Sequence, residues 1–441
     1  MIDSTLSDLL INEHFWIPFT PNRDFRKNAK LFTRAQGLYY YDQNNNRILD
    51  GVSGLFTSAL GHCREEISEA IYQQLQVLDF TASFYRSHPG AFSAAKSLSQ
   101  ILPNHLNRIF FVNSGSEAIE SALKVALSYY RAKNQGTKHQ FVSRERAYHG
   151  VNFGGVALSG LTNNRRQYSG NGPVVTHMRH TWLEENRYTR GQPQYGAELA
   201  DDLLRQIQLH GAENIAACVV EPIAGSTGVL IPPVGYLERL RQICTAHDIL
   251  LIFDEVICGF GRTGKAFATQ TFKVHADIIT LAKALTNGVQ PMGAIAVSQS
   301  IYETITNSDN DENNIEFYHG YTWSAHPVAC AAAIATLNIY QTQPIFKNGD
   351  KLSEYFLDKL FALQGIEAIT DIRGLGLLGG IQLKSEERPG LAGYRIQKIL
   401  FDKGLHIKST GDTLLIAPIL TGSKDYINEI FETLTDVLTH S

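Results

Sequence analysis

Two residues near the middle of the chain are of types that can do chemistry together. Residues 249–253 are five apolar residues in a row, and the carboxylate of Asp254 follows them directly. Such a run predicts a strand buried on both faces, with Asp254 at its carboxyl end, the edge of an open α/β sheet where ligands bind. A second short stretch, Asp277-Ile278-Ile279-Thr280, predicts another mainly apolar strand and leads to Lys283. A lysine that can form an imine and an aspartate that can keep a ring nitrogen protonated suit pyridoxal 5′-phosphate.

Both residues also have a simpler explanation. A strand-end acid often caps a helix or pairs with an arginine, here Arg262, and most lysines are solvated on the surface. Lys283, however, follows an apolar run and precedes Ala284 and Leu285. A lysine in an apolar pocket has a lowered pKa, which favours the neutral and nucleophilic amine. We therefore expect Asp254 and Lys283 to share one site.

A Ser-Gly-Ser turn at 114–116 joins a predicted strand over 108–112 to a predicted helix over 117–131. Backbone amides and hydroxyls at the start of a helix bind anions such as phosphate. An ordinary helix cap would explain the same serines. The junction falls on the sheet edge predicted for Asp254, and this position favours the anion site.

Further along, Tyr148 and Gly150 follow a predicted strand over 140–142. An aromatic ring at this place can lie flat on a cofactor ring, and a glycine allows close approach of the backbone, although simple packing would explain the tyrosine equally well. Residues 373–380 contain a formal GxGxxG pattern, but the sequence after it is β-like, whereas a dinucleotide site requires a helix there. We interpret these glycines as a turn between strands.

Strands and helices alternate along the middle of the chain, which predicts βαβ units and a mostly parallel sheet. Before this region, 37–50 predicts a hairpin with an Asn-rich turn. After it, the polar and acidic residues 302–315 predict a surface loop, and the Ala-rich residues 328–339 predict the start of a long helix leading into a C-terminal α+β domain.

The composition excludes several classes of protein. With a net charge of −4, the 441-residue chain has no general attraction to nucleic acid or to an anionic membrane. No apolar run is long enough to span a membrane, and the first residues, 1–4, show no secretory signal. The five scattered cysteines are typical of reduced thiols, not of a disulfide framework or a zinc site. We therefore expect a cytoplasmic enzyme.

With these residues in view, the chain resembles the class III, fold-type I pyridoxal-phosphate aminotransferases, and within them the β-alanine (ω-amino acid):pyruvate branch. The segments that carry the resemblance are 14–20, 50–57, 221–228, 253–256 with its tail 259–262, 282–283 with 286–288, 320–327 and 411–413. The resemblance implies an α/β fold with a large, mostly parallel, seven-stranded α/β/α domain and a smaller α+β domain formed by the N- and C-terminal segments. It places the N-terminal segment of the small domain at 1–60, the large domain at 61–327 and the C-terminal part at 328–441.

The resemblance also implies roles for individual residues. Lys283 bonds to the cofactor aldehyde, Asp254 pairs with the pyridine nitrogen, and Tyr148 and Val256 pack on the two ring faces. The phosphate is held by the 114–116 turn and by Thr322 of the neighbouring subunit. The active site therefore lies at a subunit interface of a homodimer or homotetramer. The complete set implied for cofactor binding is Ser114, Gly115, Ser116, Tyr148, His149, Glu221, Asp254, Val256, Lys283 and Thr322, with Lys283, Asp254 and Tyr148 as catalytic residues and no metal.

The substrate pocket departs from the family pattern at one position. Relatives that use pyruvate commonly carry an arginine before the Gly-Asp pair at 411–412, and this chain has Lys408, which keeps the charge but not the bidentate fork. We expect Lys408 or Arg86 to bind the substrate carboxylate, although Arg86 could equally face solvent. Phe19 and Phe56 stand where relatives have aromatic pocket walls.

The activity implied is ping-pong transfer of an amino group from a β-alanine-like ω-amino acid or amine to pyruvate. Relatives that accept 2-oxoglutarate carry glutamate and arginine where this chain has Ser226 and Ile416, so pyruvate is the favoured acceptor. The alternatives are an intramolecular aminomutase on the same fold, an aminotransferase that uses taurine or another amine, and a non-catalytic regulatory protein. The identity of the physiological donor is left open at this point.

Overall fold

A computed structural model of the chain describes residues 14–168, 170–386 and 388–440. Residues 1–4, on which the expected absence of a secretory signal rests, lie outside these ranges, as does the beginning of the predicted segment 1–60. The strands are β1 Phe32–Gln36, β2 Tyr39–Asp42, β3 Arg47–Asp50, β4 Leu106–Val112, β5 Gln140–Arg144, β6 Val175–Met178, β7 Ile215–Val220, β8 Leu250–Asp254, β9 Ile278–Leu281, β10 Gly293–Ser298, β11 Ile369–Leu375, β12 Leu378–Leu383, β13 Leu405–His406, β14 Lys408–Thr410 and β15 Thr413–Ile416.

Helices separate most of these strands. They are α1 Asn22–Lys27, α2 Glu65–Val77, α3 Pro89–Ser99, α4 Gly115–Ala132, α5 Phe153–Leu158, α6 Thr162–Tyr168, α7 Asp202–His210, α8 Tyr236–Ala246, α9 Ala268–Phe272, α10 Gln299–Thr306, α11 Pro327–Thr342, α12 Ile345–Phe361, α13 Leu391–Asp402 and α14 Lys424–Thr439. Short helical turns occur at Ser53–Phe56, Glu184–Asn186, Ala197–Asp201, Ala212–Asn214 and Lys283–Thr286. No helix in the described ranges is long and apolar enough to cross a membrane.

The central feature is a seven-stranded sheet in the order β4-β10-β9-β8-β7-β5-β6. The strand β10 runs antiparallel to both of its neighbours, and the remaining pairs are parallel. Every residue of β7, β8 and β9 is buried, because helices cover both faces of the sheet. The α/β fold class predicted from the sequence is confirmed.

Two smaller sheets are built from the two ends of the described chain. In one, β1, β2 and β3 form an antiparallel meander, and β3 pairs in parallel with β13. The predicted hairpin over 37–50 is confirmed as β2 and β3. In the other sheet, of order β11-β12-β15-β14, Gly376 of the GxGxxG pattern lies in the tight turn between β11 and β12, and Gly374 pairs with Gly379 across the two strands. The interpretation of these glycines as a turn between strands is confirmed.

One expectation from the sequence is wrong, and one of the alternatives weighed there is excluded. The predicted loop over 302–315 begins as helix, because α10 extends to Thr306 and buries Ile301 and Ile305 on one face. Arg262 does not pair with Asp254. Its buried guanidinium donates to the carbonyl oxygens of Leu377 and Pro418, at 3.1 and 2.6 Å, and to the Ser53 hydroxyl at 3.2 Å.

Candidate active site

The carboxyl ends of four parallel strands and the turn after β4 surround a cavity of about 140 Å³. The elements meet here because parallel strands present their carboxyl ends at one edge of the sheet. Eight of the residues predicted for cofactor binding line this cavity together with Gly150, Ile257 and Ala282. The eight are Gly115, Ser116, Tyr148, His149, Glu221, Asp254, Val256 and Lys283.

Lys283 is the first residue of the short helical turn that follows β9. Its backbone has a φ of +48°, a left-handed conformation that is uncommon for a residue with a side chain and is often found at functional sites. Within the described chain the side-chain amine forms no hydrogen bond or ion pair. Burial lowers the pKa of Lys283 and the nearby Lys408 charge adds to this, while the charges of Asp254 and Glu221 oppose it. The amine is therefore neutral more readily than that of an exposed lysine.

Asp254 is held at the end of β8 by three donors. The Thr280 hydroxyl and the Val256 amide each lie 3.1 Å from Oδ1, and His149 Nδ1 lies 2.9 Å from Oδ2. Because a carboxylate only accepts hydrogen bonds, Nδ1 is the protonated nitrogen of His149. These contacts fix the carboxylate in one orientation, with Asp254 lining the cavity.

Glu221 follows β7 and is almost completely buried beside Asp254. One of its oxygens accepts the Tyr148 amide at 3.0 Å, and the other accepts the Gly225 amide at 3.1 Å. Burial raises the pKa of Glu221 to about 7, and the Asp254 charge contributes to this rise. Burial also raises the pKa of the Tyr148 hydroxyl. Glu221 thus fixes the backbone that carries Tyr148.

The turn at 114–116 caps a helix and also forms, with Gly150, an open space at the helix N-terminus, which we call the cradle. The Ser114 hydroxyl accepts the Glu117 amide at 3.2 Å and so caps α4. A Cβ on Gly115 would lie 3.1 Å from a Val256 methyl, and a Cβ on Gly150 would lie 2.5 Å from the Ser116 hydroxyl. A helix N-terminus that only glycines can approach so closely is suited to an anionic group.

These residues fit pyridoxal phosphate. A lysine amine without a partner, a fixed carboxylate and the start of an eighteen-residue helix line the same cavity. The amine can bond to an aldehyde, the carboxylate to a protonated pyridine nitrogen, and the helix N-terminus to a phosphate.

The remaining predicted site residues lie outside the cavity lining. Lys408 is on the edge strand β14, and its charge reaches Lys283. Phe56 is buried, in the short turn at Ser53–Phe56. Arg86 and Thr322 are exposed, and Phe19 is 80% exposed.

The sequence analysis missed several residues that shape the site. Thr280 holds Asp254, and its signal was a single polar residue in the apolar run of β9. Arg144, at the end of β5, is buried and donates to the Glu221 carbonyl oxygen at 2.5 Å. The link between His149 and Asp254 joins residues 105 positions apart and had no local signal.

Comparison with known proteins agrees with this geometry. The family model for class-III aminotransferases matches residues 22–438. An omega-aminotransferase of Caulobacter vibrioides is 48% identical over 96% of this chain and 97% of its own length. An omega-amino acid–pyruvate aminotransferase of Pseudomonas putida is 42% identical over 99% of this chain and 97% of its own length.

Solved structures give the same result. The crystal structure of the omega transaminase from Pseudomonas jessenii in complex with PMP superposes with a TM-score of 0.91, at 29% identity, and the match covers 99% of this chain and 98% of that one. The family match, the relatives and the superposition each extend over nearly the whole described chain. The chain therefore belongs to the class-III aminotransferases, which use pyridoxal 5′-phosphate as their cofactor.

Proposed function

We propose that this aminotransferase moves an amino group from a β-alanine-like ω-amino acid or amine to pyruvate by a ping-pong mechanism. The observation that carries the proposal is the unpartnered Lys283 amine, in one cavity with the fixed carboxylate of Asp254. The names of the relatives from Pseudomonas putida and Pseudomonas aeruginosa, an omega-amino acid–pyruvate and a beta-alanine–pyruvate aminotransferase, support pyruvate as the acceptor.

Lys283 and Asp254 do the proton chemistry in this proposal. Pyridoxal phosphate, when bound, supplies the aldehyde that accepts the amino group and a ring that withdraws electrons from the reacting carbon. The Lys283 amine, with its pKa lowered by burial, would take the proton from the substrate carbon and deliver it to the cofactor carbon that carried the aldehyde. Asp254 keeps a proton on the ring nitrogen, and the hydrogen bond from His149 keeps the carboxylate in place.

The other residues that line the cavity position the cofactor and enclose it. Tyr148 would lie on one face of the bound ring and Val256 on the other, with the Tyr148 backbone held by Glu221. Gly115 and Ser116, with the cap residue Ser114, would hold the phosphate at the start of α4.

A second subunit completes the site in this proposal. Thr322 is exposed and does not line the cavity of its own chain, which is consistent with its supplying a phosphate contact to a neighbour in a homodimer or homotetramer. The exposed Phe19 fits a place at the same interface, with Phe56 as an inner pocket wall. We further propose that the enzyme acts in the cytoplasm and that its domains divide at 1–60, 61–327 and 328–441.

Lys408 is the proposed anchor of the substrate carboxylate, with Arg86 as the second candidate. Burial lowers the pKa of Lys408, and in the described ranges its ammonium has no hydrogen bond or ion pair. A partly buried cation without a partner is costly unless an anion joins it. Lys408→Ala should raise the KM for pyruvate about tenfold, the size of one charge-assisted hydrogen bond, and change kcat less.

Two further variants make this test specific. Arg86→Ala identifies the alternative anchor, and Lys403→Ala is a matched control, because Lys403 is an exposed lysine nearby that pairs with Asp436 at 3.4 Å. Unchanged KM values for pyruvate in both Lys408→Ala and Arg86→Ala would refute the carboxylate anchor.

The proposed function is tested by the absorbance spectrum of the purified enzyme before and after β-alanine, and then after pyruvate. A yellow band that disappears with β-alanine and returns with pyruvate would demonstrate both half-reactions. A band that disappears only with taurine or another amine would identify that compound, and not β-alanine, as the amino donor. Isomerisation of an amino acid without exchange of its amino group to pyruvate would indicate an aminomutase instead. No band after addition of pyridoxal phosphate would refute the assignment of Lys283.

A further inference from the structure

Two histidines lie at the edge of the large sheet that is opposite to the candidate active site. His105 directly precedes β4, and His275 lies three residues before β9. Both strands are antiparallel to β10 and therefore run in the same direction. The residues that precede them consequently lie at the other end of the strands from Asp254 and Lys283.

The Nδ1 atoms of the two imidazoles are 3.3 Å apart, and the ring planes are inclined by 66°. The opposite nitrogen of His105, Nε2, lies 3.0 Å from the carbonyl oxygen of Ala276. Because a carbonyl oxygen only accepts, Nε2 carries the proton and Nδ1 of the neutral ring has a lone pair. This lone pair is on the side of His105 that faces His275.

This lone pair accepts a long hydrogen bond from the Nδ1–H of His275, at 3.3 Å. A metal ion can take the place of the proton between the two nitrogens. Two nitrogens 3.3 Å apart, each about 2.05 Å from a metal, subtend an angle of about 107° at the metal, close to tetrahedral.

We propose that His105 and His275 form a surface binding site for a divalent transition-metal cation of the kind that imidazole prefers, Zn²⁺, Ni²⁺ or Cu²⁺. The hydrogen bond from His105 to the Ala276 carbonyl is the contact that orients metal-binding histidines in other proteins. The described residues contain no group of three or more potential metal ligands, so water completes the coordination at the exposed His275.

The surrounding charges permit a cation at this place. A basic group close to the pair is Arg241, whose guanidinium lies 3.4 Å from the His275 carbonyl oxygen. Its charge is balanced by an ion pair with Asp277 at 2.7 Å.

A bound cation would join the segment before β4 to the segment before β9. These segments flank the end of β10, where Ser298 pairs with Leu106. The metal would therefore stabilise this edge of the sheet against unfolding, and because the active site is at the other edge, it would leave turnover unchanged.

The test is calorimetric titration of the holoenzyme with Zn²⁺, repeated with Ni²⁺, on the parent protein and on His105→Ala and His275→Ala. His210→Ala is the matched control, since it removes a histidine at the end of α7, remote in sequence from the pair. We expect one ion per chain in the parent and in His210→Ala, and at least a tenfold loss of affinity in both pair variants. Zn²⁺ should raise the Tm of the parent and of the control only.

Enzymatic activity equal to that of the parent verifies that each variant is folded. If His105→Ala fails to fold because it loses the Ala276 contact, His275→Gln gives the same comparison without disturbing that bond. Binding by the pair variants that matches the parent would overturn the proposal. Absence of binding by the parent would also overturn it and would leave an imidazole–imidazole hydrogen bond as the account of the pair.

Discussion

Replacing Glu221 with glutamine should make the stability of the apoprotein less sensitive to pH. The carboxyl of Glu221 is 3% exposed, and its burial raises the pKa in the folded protein to about 7, from 4.5. Between these values the folded protein binds the proton and the unfolded chain does not. The free energy of unfolding contributed by this group is therefore fully present at low pH and falls as the pH rises towards 7.

The magnitude follows from the two pKa values. A difference of 2.5 units corresponds to about 3 kcal/mol over the whole range, of which about 2.5 kcal/mol falls between pH 5 and pH 8. Glutamine is neutral throughout, and its single oxygen can accept from only one of the Tyr148 and Gly225 amides. The loss of the other hydrogen bond is the same at both pH values and therefore does not enter the comparison. Glu221→Gln should therefore gain about 2.5 kcal/mol relative to the parent when the pH changes from 5 to 8.

The assay is denaturant unfolding of the apoprotein, followed by tryptophan fluorescence at pH 5 and pH 8 and at one protein concentration. Removing the cofactor keeps its own proton equilibria out of the comparison. Glu198→Gln is the matched control, because Glu198 is exposed and its replacement should have the same effect at both pH values. A difference between Glu221→Gln and the parent that does not change with pH would refute a buried, neutral Glu221.

Three further outcomes follow from the structure. Gly150→Ala should weaken cofactor binding, measured by fluorescence titration of the apoprotein, because the new Cβ would lie 2.5 Å from the Ser116 hydroxyl and φ is +95°; affinity equal to the parent would contradict the cradle at α4. Lys138→Met should lower the free energy of unfolding by about 3 kcal/mol, because the buried ammonium donates to the carbonyl oxygens of Ala212, Ile215 and Asp248 at 2.9, 3.2 and 2.7 Å; a change below about 1 kcal/mol would show that water replaces it. Asp254→Asn should lower kcat at least a hundredfold while cofactor remains bound, because an amide cannot stabilise a protonated ring nitrogen; a kcat within tenfold of the parent would exclude that role.

The sequence predicted the parts of the site that lie on regular strands. The apolar runs before Asp254 and Lys283 are long enough to specify β8 and β9, and two such strands bring their carboxyl ends to one edge. The turn between β11 and β12 could also be predicted, because β-like residues follow its glycines. In these places local composition and the parallel sheet topology point to the same answer.

Contacts between distant segments could not be predicted. Nothing in the sequence around His149 indicates that its ring meets Asp254, because the contact depends on how the loop after β5 folds over the sheet. Helix α10 was missed for a different reason. Its polar residues suggested a loop, although Ile301 and Ile305 have the i, i+4 spacing of a buried helix face and Ser298 caps it.

The buried Arg262 has a mechanical consequence. Its guanidinium is bonded to three pieces of chain that are far apart in sequence: the turn with Ser53, the loop with Leu377 and the segment with Pro418. Moving any one of these pieces would remove one acceptor from a buried positive charge, and a hydrogen bond lost by a buried charged group is costly. The turn Ser53–Phe56 is therefore a rigid part of the frame and not a flap. Substitutions in this turn that are made to broaden the substrate range will therefore change the stability of the protein as well as its catalysis.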